Sequence, residues 1–354
     1  MEFKILIINI LPSAILPFLV QLLAHEFGHM LAGNLTGWRL VYLQFFRLVL
    51  VKENNRVRIK TLPFQSYRCI MYPKSLDRDA SLYTLGGIFM NLLFTAAGLM
   101  GMIRYFGHPA IWMYALGLSS SGIILLATNG IPCIGRVCND MASMLMIKND
   151  QASKKVHNYQ MTIARQLFEG RTFRQMDRRL LEVRNVRINT DILAYQAVLE
   201  YYLHIDEDEY LLAQEALDNI EMSALICKGV RNVINMERFY LNILMNILRK
   251  ELTSYINGMP FNETEAFIIK NDSKGDIHSV RVKAAWNAYS YYIEGELDMA
   301  IECLDQSLND MDRMRYLYLG EKLFCMDQLT YLRNMLQRDC ITNLRTMPIV
   351  EIYQ

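Results

Sequence analysis

Apolar residues run almost unbroken over residues 5–24, and two further apolar runs follow at 81–103 and 111–127. At about 1.5 Å of rise per residue, the first is long enough to cross about 30 Å of hydrocarbon. Pro12 and Pro17 fall inside it, and membrane helices tolerate such kinks. Between the first two runs the pattern changes. Residues 39–51 are rich in strand formers (Leu40, Val41, Tyr42, Phe45, Phe46, Val49, Val51), and 56–60 alternate with period two. The polar stretch 52–55 separates them as a turn. The pattern therefore predicts a β-hairpin at the membrane surface between the first two of three transmembrane helices. The hairpin is either a packing element or an edge, 41–51, that accepts an extended substrate.

Beyond residue 150 the spacing becomes that of soluble amphipathic helices, expected at 191–204, 207–220, 230–248, 280–293 and 297–309. The expected fold class is mostly α: a polytopic core of about three transmembrane helices with a β-hairpin over 1–150, then a soluble helical domain over 151–354. Two stretches in that domain look alike, 194–220 with Tyr201-Tyr202 and 284–308 with Tyr291-Tyr292. The second, with Gly295 and Ala300, distantly resembles a tetratricopeptide helical hairpin. Stacked hairpins would offer a concave face to a peptide or protein partner; a plain helical bundle is the alternative, and the tyrosines read as core.

Composition adds limits. Of 354 residues, 52% are hydrophobic, and the formal net charge of +1 leaves no basic excess for nucleic acid. Seven cysteines without a secreted spacing pattern read as reduced thiols. The first apolar run lacks a small-x-small cleavage site, so a membrane span is expected there in preference to a signal peptide. Nine Lys or Arg fall within 38–79, against Lys4 and Arg104 on the other side. The positive-inside rule then places 38–79 and everything after 150 in the cytoplasm of a multi-pass membrane protein.

The candidate chemistry sits where the first apolar run ends. His25-Glu26-Phe27-Gly28-His29 fits the His-Glu-x-x-His pattern, in which two histidines one helical turn apart hold one zinc ion and the glutamate serves as general base. A catalytic zinc usually takes a third protein ligand. Glu53 lies in the expected turn, and Asp77 and Asp79 lie in a basic loop. Asp140 opens a helical stretch after the breakers Asn129-Gly130-Ile131-Pro132, in an apolar neighbourhood where a carboxylate is costly unless paired or metal-bound. Asp140 is the expected third ligand.

Together these segments resemble the site-2 proteases, membrane-embedded zinc metalloproteases. The resemblance rests on His25–His29, on Gly87-Ile88-Phe89-Met90-Asn91 (similar to a Gly-Pro-x-x-Asn element, with Ile88 where proline is usual), and on Asn129–Pro132 followed by Asp140. Met141 stands where glycine is usual. The resemblance implies that His25, His29 and Asp140 bind zinc and that Glu26 activates water. It also implies that Asn91 and Asn129 hold the substrate strand or the developing oxyanion. The expected function is hydrolysis of peptide bonds in membrane-spanning or membrane-associated peptides. The alternative is a non-proteolytic membrane adaptor whose helical domain binds a peptide or protein.

Overall fold

The computed structural model describes residues 2–53, 56–182, 186–249, 255–256, 259–260 and 276–346. The chain is mostly helical and divides into two compact units. The first comprises Met1–Arg165, Val183–Gln196 and Glu221–Val230, and the second Gln166–Glu182, Ala197–Ile220 and Arg231–Gln354. The first unit thus extends beyond residues 1–150, because segments after residue 150 return to it.

In the first unit, α1 (Glu2–Leu35), α2 (Ser81–Arg104) and α3 (Pro109–Gly130) pack together. All three are long and apolar enough to cross a membrane, over Pro12–Leu35, Ser81–Arg104 and Pro109–Gly130. Their faces are inverted relative to a soluble bundle. The residues that α2 buries include Thr84, Gly86, Gly87, Asn91, Thr95 and Gly98, while Phe89, Leu92, Leu93, Leu99 and Met100 are exposed. In α3 the buried positions are Ala115, Ser119, Ser121, Gly122 and Leu125, with Ile123 and Ile124 outside. Small and polar residues inside with large apolar residues outside is what lipid as solvent favours, since burying Leu gains nothing there. Gln21, fully buried on α1, ties the three helices: its Nε2 donates to the Leu118 carbonyl of α3 at 3.0 Å and reaches Thr95 Oγ1 of α2 at 3.5 Å.

β1 (Trp38–Glu53) and β2 (Arg56–Pro73) form the expected antiparallel hairpin, with β2 longer than its alternating stretch indicated. Residues 54–55 of the expected turn lie outside the described residues. The register shifts between Phe46 and Leu48, where Phe46 takes a positive φ of 55°. Trp38 anchors the hairpin's start: it stacks on Tyr83 with ring centroids 4.8 Å apart, and its Nε1 donates to the Asp79 carbonyl at 3.2 Å.

After α3, α4 (Asp140–Asn149) leads into α5 (Gln151–Phe168). Asn158 of α5 donates to the Leu76 and Arg78 carbonyls at 2.7 and 2.8 Å, fixing the link that follows the hairpin. There follow α6 (Arg178–Leu181), α7 (Asp191–Asp206), α8 (Tyr210–Asp218) and α9 (Lys228–Arg249), then the two-residue strands β3 (Tyr255–Ile256) and β4 (Met259–Pro260). The described chain ends with α10 (Ile277–Ile293), α11 (Leu297–Arg313) and α12 (Leu319–Thr346). The five helices expected from spacing all form, with ends displaced by a few residues.

Within the second unit the core closes around one ion pair. Arg281 and Glu237 are fully buried and bonded to each other. Tyr202 donates its hydroxyl to Glu237 Oε1 at 2.9 Å, and the Arg281 guanidinium lies 4.1 Å from the Tyr240 ring centroid and 5.3 Å from that of Phe324. Tyr201, Tyr202 and Tyr289 are buried, as expected of core residues, whereas Tyr291 and Tyr292 are half-buried. Removing one member of such a pair leaves the other charge buried without its counterion. Arg281→Met is therefore expected to lower the unfolding free energy of this unit by about 3–5 kcal/mol, read by denaturant unfolding followed by circular dichroism.

Candidate metal centre

His25 and His29 lie one turn apart on α1, so their imidazoles leave the same face of the helix. Their Nε2 atoms are 3.2 Å apart. Asp140, the first residue of α4, places Oδ2 3.0 Å from His25 Nε2 and 3.3 Å from His29 Nε2. Three donors bound to one tetrahedral ion at about 2.0–2.1 Å stand about 3.3 Å from each other. The observed triangle has that size, and the three residues form a candidate metal-binding group.

Hydrogen bonding around the triangle sets the tautomers. His29 Nδ1 lies 2.8 Å from the Tyr83 carbonyl. A carbonyl only accepts, so Nδ1 carries the proton and Nε2 turns its lone pair toward Asp140. His25 Nδ1 meets the Asn91 side-chain amide at 3.0 Å. With Nδ2 against the ring, buried Asn91 Oδ1 has no partner among the described residues. The contact fits either tautomer: turned about its axis, the amide lets Oδ1 accept from His25 Nδ1–H, and His25 Nε2 then presents a lone pair, as a metal ligand does.

Asp140 is half-buried, with Oδ2 itself enclosed and receiving no well-directed hydrogen bond among the described residues. With both rings neutral and protonated at Nδ1, two lone pairs and an anionic oxygen face one point, an arrangement that a bound cation or a proton on one ring nitrogen stabilises. The donor set fits a divalent metal ion.

The third donor is delivered by Asn139. Its Oδ1 accepts from the Ala142 N–H at 3.0 Å, capping α4, and from the Cys133 N–H at 3.1 Å. Its Nδ2 donates to the Thr128 and Ile131 carbonyls at 2.7 and 2.6 Å. One side chain thus ties the end of α3, the following loop and the start of α4. An asparagine just before a helix is a capping signal legible in sequence.

Glu26 is buried beside the histidines, where the Cys69 backbone N–H of β2 bonds its carboxyl. Tyr83 donates its hydroxyl to the Cys69 carbonyl at 2.7 Å. The backbone of β2 at Cys69 therefore reaches the site. Asn91, expected to hold substrate, lies instead on the His25 ring, where it orients a donor. Asn129 turns back on its own helix, donating to the Leu125 carbonyl at 3.2 Å. Of the carboxylates weighed against Asp140, Asp77 is exposed, and Asp79 accepts the Ser81 N–H at 2.7 Å. The Glu53 side chain lies outside the described residues.

Two glycine contacts admit this arrangement. A Cβ on Gly28 would stand 2.3 Å from the Gly86 carbonyl oxygen, and one on Gly86 2.4 Å from that of Gly28, so α1 and α2 touch backbone to backbone. A Cβ on Gly87 would stand 2.6 Å from both His25 Cε1 and His29 Nε2.

No family model, no curated protein and no solved structure matches the chain. Gly87→Ala drives a methyl group into both imidazoles. It is expected to weaken metal binding by about 10–100-fold, the scale of disturbed ligand orientation, while leaving the helical circular dichroism unchanged; metal titration of the purified protein reads the effect.

Proposed function

We propose that the protein is a membrane-embedded zinc metalloprotease that hydrolyses peptide bonds in membrane-spanning or membrane-associated peptides. The observation that carries this reading is the convergence of His25 Nε2, His29 Nε2 and Asp140 Oδ2 within 3.0–3.3 Å of one another, with Glu26 buried alongside on the same helix. The histidines and Asp140 would hold the ion. Zinc held there supplies Lewis acidity to a water and to the carbonyl under attack.

The chain's own residues do the rest. Glu26 takes a proton from the attacking water and passes it to the leaving amine. Tyr83, through its carbonyl on His29 Nδ1, and Asn91, on His25 Nδ1, keep both rings presenting Nε2. A helical substrate segment has its carbonyls internally bonded, so it unwinds before cleavage. The hairpin lies against α1, and an unwound segment would pair with it as an added strand. In this reading the site lies at membrane depth among the three apolar helices, and the excess of basic residues over 38–79 supports a cytoplasmic position for that region and for the helical second half. That second half is the part suited to selecting a peptide or protein partner.

In a reconstituted cleavage assay, Glu26→Gln is expected to lower turnover by about 10²–10⁴-fold, the usual worth of a positioned general base, with metal content unchanged. Equal processing by both proteins contradicts the protease reading.

A further inference from the structure

A second convergence of metal donors lies in the same unit, apart from the histidines. Cys138 and Cys227 carry free thiols, and a donor atom from each of Cys138, Asp191 and Cys227 lies within 4.8 Å of the other two. Bonds of about 2.3 Å to sulfur and about 2.0–2.2 Å to oxygen set the donors of one tetrahedral zinc about 3.5–3.8 Å apart. That spacing falls inside the observed limit.

The backbone around the cluster is built to hold it. Ile134 and Cys138 pair as an antiparallel bridge, closing a tight loop. The Lys228 N–H donates to the Gly135 carbonyl at 3.0 Å, and the Gly229 N–H to that of Arg136 at 2.8 Å, so the start of α9 is laced to that loop. A Cβ on Gly229 would stand 2.7 Å from the Arg136 carbonyl oxygen, and only glycine permits this lacing. Asp191, at the start of α7, is held from two sides: its N–H donates to the Leu225 carbonyl at 3.0 Å, and its Oδ1 accepts the Cys227 N–H at 2.8 Å. Cys227 Sγ, on a buried residue, accepts the Val230 N–H at 3.4 Å. An N–H aimed at sulfur stabilises a thiolate, the form in which cysteine binds metal.

We propose that Cys138, Asp191 and Cys227 form a second metal site for a thiophilic divalent cation of the zinc class, joining the loop that carries Asp140 to the starts of α7 and α9. Two thiolates select zinc over magnesium or calcium. Binding releases both thiol protons to solvent and leaves the fourth position to water. Cys138 stands two residues before Asp140, whose own approach is held by the Asn139 side chain. The inference stands on this cluster alone and does not need the protein to be a protease.

The test uses the full chain purified in detergent under reducing conditions. Cobalt(II) bound by cysteine gives a near-ultraviolet thiolate-to-metal charge-transfer band, and cobalt on His25, His29 and Asp140 gives none. The wild type is expected to show the band and to hold two zinc equivalents per chain. His25→Ala/His29→Ala is expected to lose one equivalent and keep the band. Cys138→Ser/Cys227→Ser is expected to lose the band and the other equivalent. Absence of the band in folded wild type with both thiols titratable overturns the proposal. So does a Cys138–Cys227 disulfide in the reduced preparation, or a band that survives in Cys138→Ser/Cys227→Ser.

Discussion

The first unit is organised around three donor atoms, His25 Nε2, His29 Nε2 and Asp140 Oδ2, brought to one point. His29 is held by the Tyr83 carbonyl so that its lone pair points inward, and Asp140 brings an anionic oxygen to within 3.3 Å of it. His25 completes the triangle. In an apolar surrounding the mutual cost of such groups is far larger than in water. The other features of the unit bring these groups together in spite of that cost. The glycine contact between α1 and α2 lets the helices approach backbone to backbone, and Gly87 leaves room for the rings. Asn139 fixes the direction from which Asp140 arrives.

The hairpin and the helices answer different needs. Three apolar helices with inward-facing small and polar residues satisfy every backbone group within themselves, as lipid requires. They leave no free backbone edge with which to meet an extended peptide. The hairpin supplies strand backbone next to the histidines, and at Cys69 that backbone bonds both Glu26 and Tyr83. The second unit is stabilised differently, by an aromatic core around a buried Arg281–Glu237 pair.

Much of this was legible in the chain, for physical reasons that can be named. Hydropathy marks a lipid-crossing helix strongly, so the three long helices and the hairpin between them follow from pattern alone. His25 and His29 are visible because helical periodicity fixes which residues share a face. Asp140 emerges because an isolated carboxylate in an apolar setting needs a partner. The parts that stayed hidden depend on distance in space. The role of Asn91 as an orienter of His25 is set by the crossing of α1 and α2, and nothing local to Asn91 encodes it. Asn129 sits in a suggestive motif, yet its side chain finds a nearer partner one turn back. The approach of Asp191 and Cys227 to Cys138 joins three distant stretches through backbone hydrogen bonds, which leave no periodic trace. The register of β2 beyond 60 was equally silent, because the bulge at Phe46–Leu48 interrupts the alternation.

The central claim, that His25, His29 and Asp140 hold one metal ion, is tested most directly by zinc K-edge X-ray absorption on Cys138→Ser/Cys227→Ser, in which only the histidine site remains. The account predicts one zinc per chain with nitrogen and oxygen neighbours at about 2.0–2.1 Å and the outer-shell scattering of two imidazoles, lost together when Asp140 is replaced by Ala. A folded protein that binds no zinc, or a spectrum without imidazole scattering, would contradict it.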